Sequence, residues 1–378
     1  MGSAGANGTH DEALAKGPGV VIGRSGASIG RVHLSEVDYW PHNTCLYVTD
    51  FLGNSPRFAY YLLQTLNLAA FNSGSAQPSL NRNFIYSIRV QVPRRLEQDE
   101  IVELLRSLDD RIALLRESNA TLEAIAQTLF KSWFVDFDPV HAKLQGLAPA
   151  GMDEATAALF PDSFEESALG LTPLGWRHGT FGELARMHRG SVNPSGSADT
   201  LFEHFSLPAF DAGQLPVEEL GAEIRSNKTS VPKDAVLLSK LNPHIPRVWL
   251  PVNAGPHAVC STEFLVFVPT PGSSREVAYC SFAAEPFQRR LRQLVTGTSN
   301  SHQRVKPDAV LTLSTVVPPS SMLEAFTVVV RPILERVGHN RVRAQTLATL
   351  RDTLLPRLIS GRLRLPDAEA QVADAHAA

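Results

Sequence analysis

Three cysteines in 378 residues, at positions 45, 260 and 280, are too few and too scattered for a disulfide framework or a four-ligand zinc site. No run approaches the about 18 consecutive apolar residues of a membrane-spanning helix. The first ten residues are small and polar and lack the apolar stretch of a secretory signal, so the chain reads as soluble and cytoplasmic. A large charge of either sign is missing as well. Against 35 Lys and Arg stand 38 Asp and Glu, and with 43% hydrophobic residues the bulk of the chain is expected to fold rather than stay disordered. Its length suits two or three domains of about 100–200 residues.

Catalytic signatures are equally scarce. There is no Gly-x-x-x-x-Gly-Lys-Ser/Thr phosphate loop and no Gly-x-Ser-x-Gly elbow. An amino-methyltransferase would need an Asn/Asp-Pro-Pro-aromatic loop; Asn193-Pro194-Ser195 and Asn242-Pro243-His244 lack the second proline and the aromatic. Asp136, Asp138 and His141 could be drawn as a metal cluster, but they follow a helix pattern directly, where solvated acids are ordinary. Pro161-Asp162 with Glu165 mimics part of a nuclease motif, without the lysine that should follow. The reading is therefore of no catalytic residue, no cofactor-binding residue and no metal ligand.

What is present is charge asymmetry and duplication. Residues 286–307 carry Arg289, Arg290, Arg292, Arg304 and Lys306 and no acid. Residues 225–250 carry five basic residues against Asp234, and residues 331–364 eight arginines against Glu335 and Asp352. Residues 150–176 have acids only. Such basic segments suit phosphate contacts, although a solvated basic face would look the same. Residues 21–34 (VIGRSGASIGRVHL) lie over residues 237–250 (LLSKLNPHIPRVWL), and residues 77–93 over residues 302–318. Each copy runs apolar strand, Arg/Lys-bearing turn, strands, polar loop, alternating apolar strand ending in proline, then a long helix.

The helices share a heptad seam. Ile101, Leu105, Leu108, Ile112, Leu115, Asn119, Leu122, Ala126, Leu129 and Trp133 alternate four and three apart. Their counterparts 225 positions on are Phe326, Val330, Ile333, Val337, Asn340, Ala344, Leu347, Arg351, Leu354 and Leu358. Matching seams suggest that the two helices pair, with Asn119, Asn340 and Arg351 fixing alignment at a cost in stability. Each helix could instead pack only on its own domain. A helix over 97–137, at 1.5 Å per residue roughly 60 Å long, would overhang so small a domain. Pro332 and Pro356 are expected to kink or interrupt the second helix.

At this point the chain resembles the DNA-specificity subunits of type I restriction–modification enzymes. The strings that carry the likeness are residues 129–140 (LFKSWFVDFDPV), 159–164 (LFPDSF), Gly175-Trp176 and residues 350–361 (LRDTLLPRLISG). The resemblance implies an α+β fold with two mixed α/β target-recognition domains, separated by two long helices in an antiparallel coiled coil. On this basis residues 1–95 form a first, shortened recognition domain, and residues 1–16 a poorly ordered stump. The first helix covers 96–137, an acidic linker 138–175, the second domain 176–318, the second helix 319–364 and a flexible tail 365–378.

The resemblance also implies a non-catalytic subunit that reads a split target in double-stranded DNA. Its partners would be two methyltransferase subunits and restriction/translocase subunits, with S-adenosylmethionine, ATP and Mg held by those partners and no membrane involved. Rival readings are a truncated or decoy subunit that reads one half-site, and a stand-alone nuclease or transferase. DNA contact is expected from two loops in each copy. The first holds Arg24, Ser25, Ser28 and Arg31, with equivalents Lys240, Asn242, His244 and Arg247. The second holds Gln77, Ser79, Asn81, Arg82 and Asn83, with equivalents Ser299, Asn300, His302, Gln303, Arg304 and Lys306. Arg and Lys suit phosphate or guanine, and Asn and Gln suit adenine, although turns favour the same small polar residues.

Overall fold

In the computed structural model, which describes residues 1–74, 77–167, 170–296 and 303–377, the chain divides into two units. One comprises Met1–Leu114 with Ala344–Ala378, the other Leu115–Arg343. The fold is α+β, and no described helix is long and apolar enough to cross a membrane.

The first unit is built on β1 (Gly19–Gly23), β2 (Val32–Ser35) and β3 (Cys45–Tyr47), an antiparallel sheet in the order β2-β1-β3. Side chains alternate across a strand. Val21 accordingly packs with Tyr39 and Cys45, and Ile22 with Leu68 and Leu80. Helix α1 (Pro56–Gln64) starts where Ser55 accepts a hydrogen bond from the Phe58 amide and Pro56 supplies a preset first turn. A single turn, α2 (Arg82–Ile85), precedes the long α3 (Arg95–Phe134). Buried Gln98 ties α3 to this domain: Nε2 donates to Asn54 Oδ1 at 2.7 Å and to the Pro93 carbonyl at 3.0 Å. Residues 1–16 are not a loose stump. The Met1 amino group donates to the Trp40 carbonyl at 2.9 Å, and Ala15 bridges to Tyr39.

In the second unit, α4 (Asp138–Leu144), α5 (Glu154–Ala158) and the hairpin of β4 (Phe164–Ser167) and β5 (Gly170–Pro173) occupy the segment read as an acidic linker. The segment folds because its aromatics find partners: buried Phe160 packs edge-on against Trp133 and near Trp176. Two sheets follow. Strands β6 (Arg177–Thr180), β7 (Ala185–His188), β8 (Ser191–Val192) and β9 (Leu201–Phe205) lead into α6 (Leu207–Gly213). Next come β10 (Val217–Leu220), β11 (Lys228–Ser230), β12 (Val236–Ser239), β13 (Val248–Trp249), β14 (Ala258–Cys260) and β15 (Phe264–Pro269). The orders are β10-β9-β14-β11-β8, with β9 and β14 parallel, and an all-antiparallel β13-β12-β15-β7. Helices α7 (Arg275–Ala283) and α8 (Glu285–Gln293), strands β16 (Val295–Thr296) and β17 (Arg304–Val305), α9 (Pro307–Leu311) and β18 (Ser314–Val317) complete the domain before α10 (Ser320–Ile359).

The duplication holds at the level of register. In β1–β2, Val21 faces His33 and Ile22 faces Val32; in β12–β13, Leu237 faces Trp249 and Leu238 faces Val248. The order β2-β1-β3 repeats as β13-β12-β15, and both long helices are 40 residues long. The structure shows a further repeat. Helix α1 with its Ser55 cap matches α7 with its Ser274 cap, each nine residues long. The alternating strand, in contrast, forms only in the second copy, where β18 pairs with β6. Among the described residues no strand of the first copy stands where β6 does, and Arg89–Val92 lies outside any strand.

Within each unit α3 and α10 pack antiparallel. In the second unit Asn340 Nδ2 donates to Asn119 Oδ1 at 2.9 Å, and Asn119 Nδ2 to the Val337 carbonyl at 3.1 Å. Ten residues back along α3, in the first unit, Asp109 meets Arg351, eleven residues forward along α10. The seam residues Ile101, Leu105, Leu108, Ile112 and Leu115 are buried, as are Phe326, Val330, Val337, Leu347, Leu354 and Leu358, while Leu122, Leu129 and Ile333 are half-buried. Each fully buried leucine contributes about 1.5–3 kcal/mol. Pro332 and Pro356 do not interrupt α10. Both lie on its exposed face, as do Val328 and Asp352, whose carbonyls lose their helical donors and can turn to water. Beyond α10, the segment read as a flexible tail is the helix α11 (Leu365–Ala377), held by buried Ala368 and Val372.

Candidate nucleic-acid interface

In each copy the two polar loops, 52 to 65 residues apart in sequence, are clasped into one surface by main-chain hydrogen bonds. In the first copy Gly26 N donates to the Pro78 carbonyl at 3.1 Å and Leu80 N to the Arg24 carbonyl at 2.8 Å. In the second copy Asn242 N donates to the Gln303 carbonyl at 2.8 Å and Val305 N to the Lys240 carbonyl at 3.0 Å. Each bond in one copy has its counterpart in the other, and so do the isolated bridges Ser25–Ser79 and Leu241–Arg304. Buried Leu80 and Val305 anchor the second loop from beneath.

The turn that enters the clasp needs left-handed backbone. Gly26 adopts φ 75° and its counterpart Asn242 φ 49°, the residue types that bear this conformation most readily. Gly30 is constrained twice: φ is 77°, and a Cβ would lie 2.5 Å from the Ala69 amide nitrogen.

On the first clasp Arg24, Arg31, Gln77, Asn81, Arg82 and Asn83 are exposed, while Ser25, Ser28 and Ser79 are half-buried. Asn81 is occupied locally: its side chain accepts from the Asn83 amide at 3.0 Å and caps α2. The second clasp is more tightly braced. Arg247 donates from Nε and Nη2 to both carboxylate oxygens of Asp211, each at 2.8 Å, and its side chain is only 12% exposed. Arg304 forks onto Glu263, with Nε at 3.1 Å and Nη2 at 2.9 Å from the two oxygens. These guanidiniums hold both carboxyls below their usual range. Lys240, Asn242 and Gln303 are half-buried, and His244 and Lys306 exposed. Asn242 Oδ1 is buried without a hydrogen-bond partner among the described residues, a costly state unless something donates to it. Ser299, Asn300 and His302 lie outside the described residues.

Sequence reading therefore found both loops but not their junction, and it missed Asp211 and Glu263, the acids that hold two of its arginines. Among the described residues no group of three or more His, Cys, Asp or Glu could hold a metal ion. What the arrangement offers is a set of polar, arginine-bearing side chains carried on a fixed main-chain frame.

Residues 2–124 match the family model described as type I restriction modification DNA specificity domain. The chain is 22% identical to the type I restriction enzyme MjaIX specificity subunit of Methanocaldococcus jannaschii, over 92% of this chain and 78% of that protein. It is 24% identical to the HindI specificity subunit of Haemophilus influenzae, over 82% of this chain and 77% of that one. Its fold matches the crystal structure of a type I restriction–modification system S subunit from M. genitalium, with a TM-score of 0.53 and 16% identity over 93% and 85% of the two chains.

Proposed function

We propose that this chain, a relative of the type I restriction specificity subunits, reads a split target in double-stranded DNA and brings methyltransferase and restriction subunits to it. The observation that carries the reading is the repeated clasp. Two copies of one loop pair, built on the same register, suit two half-sites in the way that duplicated binding modules generally do. The α3 and α10 helices would set the unread gap between half-sites, since each is 40 residues long and runs from one unit into the other.

Arg24, Arg31, Arg82, Lys240 and Lys306 serve phosphates or guanines in this reading, and Gln77, Asn83 and Gln303 adenines. The chain supplies no bond chemistry of its own. S-adenosylmethionine, ATP and Mg act on two methyltransferase subunits and on the restriction/translocase subunits.

The test is to map methylated adenines in DNA from cells carrying this chain with its methyltransferase. A motif of two specified halves around a fixed gap is expected. A motif with one specified half would instead favour a subunit that reads through its second copy alone, a reading favoured by the three-stranded sheet of the first copy. Leu115→Asp, which places a charge in the seam, should blur the gap length; an unchanged gap would remove the spacer role.

A further inference from the structure

Each unit has a groove that shares no residue with its clasp. The first is walled by β2, α1 and α3 and has a volume of about 540 Å³. The second is walled by the end of β13, α7 and α10 and has a volume of about 1070 Å³. These are the same three elements in the two copies. Volumes of this size hold several side chains of a partner rather than a lone ion or water.

Corresponding positions in the two grooves carry like side chains. Leu34 in the first stands where Leu250 does in the second, and Tyr60 where Tyr279 does. From the long helices, Arg106 and Asp110 match Arg331 and Glu335. They belong to recurring strings, Arg-x-x-x-Asp-Arg at 106–111 and Arg-x-x-x-Glu-Arg at 331–336. The clasps show how far the copies have diverged otherwise: Ser25 answers to Leu241, Gly26 to Asn242 and Ser79 to Arg304. Other exposed positions of the long helices differ too, Glu103 against Val328 and Glu117 against Val342.

Stability is a poor reason for keeping the groove residues. Arg106 and Asp110 form an exposed pair at 3.3 Å, and such pairs contribute little. Arg331 pairs instead with buried Glu276 at 3.2 Å, so the two copies do not keep these residues for one shared ion pair. Phosphate is a poor ligand as well, because the charges nearly balance. Among Lys, Arg, Asp and Glu, three acids stand against two bases in the first lining and three against four in the second. A feature kept in both copies while their loops diverge suits a partner that both copies meet alike. In the reading above, the two halves face different DNA but the same kind of methyltransferase subunit.

We propose that the two grooves dock the same segment of two methyltransferase subunits, one in each groove. Arg106 and Asp110 in the first groove, and Arg331 and Glu335 in the second, meet charges of both signs on that segment. This rests on the recruiting role proposed above.

The full chain, titrated with its methyltransferase and weighed by native mass spectrometry, tests this. The parent should carry two methyltransferase copies. Asp110→Arg and Glu335→Arg, which reverse exposed charges, should each weaken one copy on the order of tenfold or more, and the double variant should lose both. Glu103→Arg and Val328→Arg, exposed on the same helices outside the grooves, should keep both copies; equal losses there would overturn the grooves as the site. All variants should melt with the parent, and for one that does not, Asp110→Asn or Glu335→Gln gives the same test with a smaller loss. Two copies held by the double variant at parent affinity would overturn the proposal. So would a change confined to duplex affinity and its salt dependence, which would make the grooves DNA contacts. A parent that holds no methyltransferase defeats the recruiting role and this inference together, whereas a parent whose two copies survive in the double variant sinks the inference alone.

Discussion

The two copies share a hairpin register, a helix cap and a clasp, yet they hold their arginines differently. The second copy has α6, which has no counterpart in the first among the described residues, and one helix performs two tasks there. Phe210 packs against Trp249, with ring centroids 5.6 Å apart, while the next residue, Asp211, pins Arg247. Trp249 is fully buried among Phe205, Phe210 and Phe264. The same place in the first copy belongs to His33, half-buried, its Nε2 3.2 Å from the Ser3 carbonyl. Arg31, the counterpart of Arg247, is exposed and has no ion pair among the described residues. One frame thus supports a braced set of arginines in one copy and an unbraced set in the other.

The largest expected effect tests the difference in cores. Trp249→Ala should destabilise the second unit by about 3–5 kcal/mol through the cavity it leaves, whereas His33→Ala should cost the first unit under about 1 kcal/mol. Denaturant unfolding of the full chain would show it, and equal losses would erase the contrast. Next comes the seam, whose only buried asparagine pair among the described residues lies in the second unit. Asn119→Leu alone should cost about 1–3 kcal/mol by stranding the Asn340 amide, and Asn119→Leu with Asn340→Leu should recover most of it. A double variant no better than the single one would mean that the amides were not a coupled pair.

A smaller difference concerns the braces. Arg31→Ala should lower the salt slope of DNA binding by about 1 without touching stability. Arg247→Ala should lower stability slightly and leave the slope nearly unchanged, and matching slopes for both variants would show that Asp211 does not withhold Arg247 from DNA. The smallest expected effect is a gain. Thr44→Glu with Ser79→Arg would move the second copy's Arg304–Glu263 ion pair into the first, adding about 0–1 kcal/mol to its stability in denaturant unfolding; a clearly larger gain would show that the pair does more than its exposure suggests.

Much of this architecture was legible because duplication writes the same hairpin twice. In the Arg-Val of residues 31–32 and 247–248 the valine begins the same β-strand, and seam leucines recur at helical spacing. The α1–α7 equivalence was overlooked because three inserted residues shift the alignment between the hairpin and the caps at Ser55 and Ser274. Signals were nevertheless there, in Ser55-x-x-x-Ala59-Tyr60 against Ser274-x-x-x-Ala278-Tyr279. The clasp left no trace, since amide and carbonyl groups belong to every residue and their pairing across a long loop depends on the fold. Asp211 and Glu263 were invisible for a related reason: each lies far along the chain from the arginine it holds, and neither spacing nor composition links them. Pro332 and Pro356 are tolerated because both fall off the seam, on the face of α10 that meets solvent.

Because the clasp is made only of main-chain atoms, its demands fall on Gly26, Gly30, Asn242, Leu80 and Val305 and leave its exposed side chains unconstrained. Exchanging Arg24, Gln77, Lys240 or Gln303 for other polar residues would leave every bond of the frame in place. New recognition could thus arise by single substitutions on an unchanged scaffold, and each half could diversify without waiting for the other.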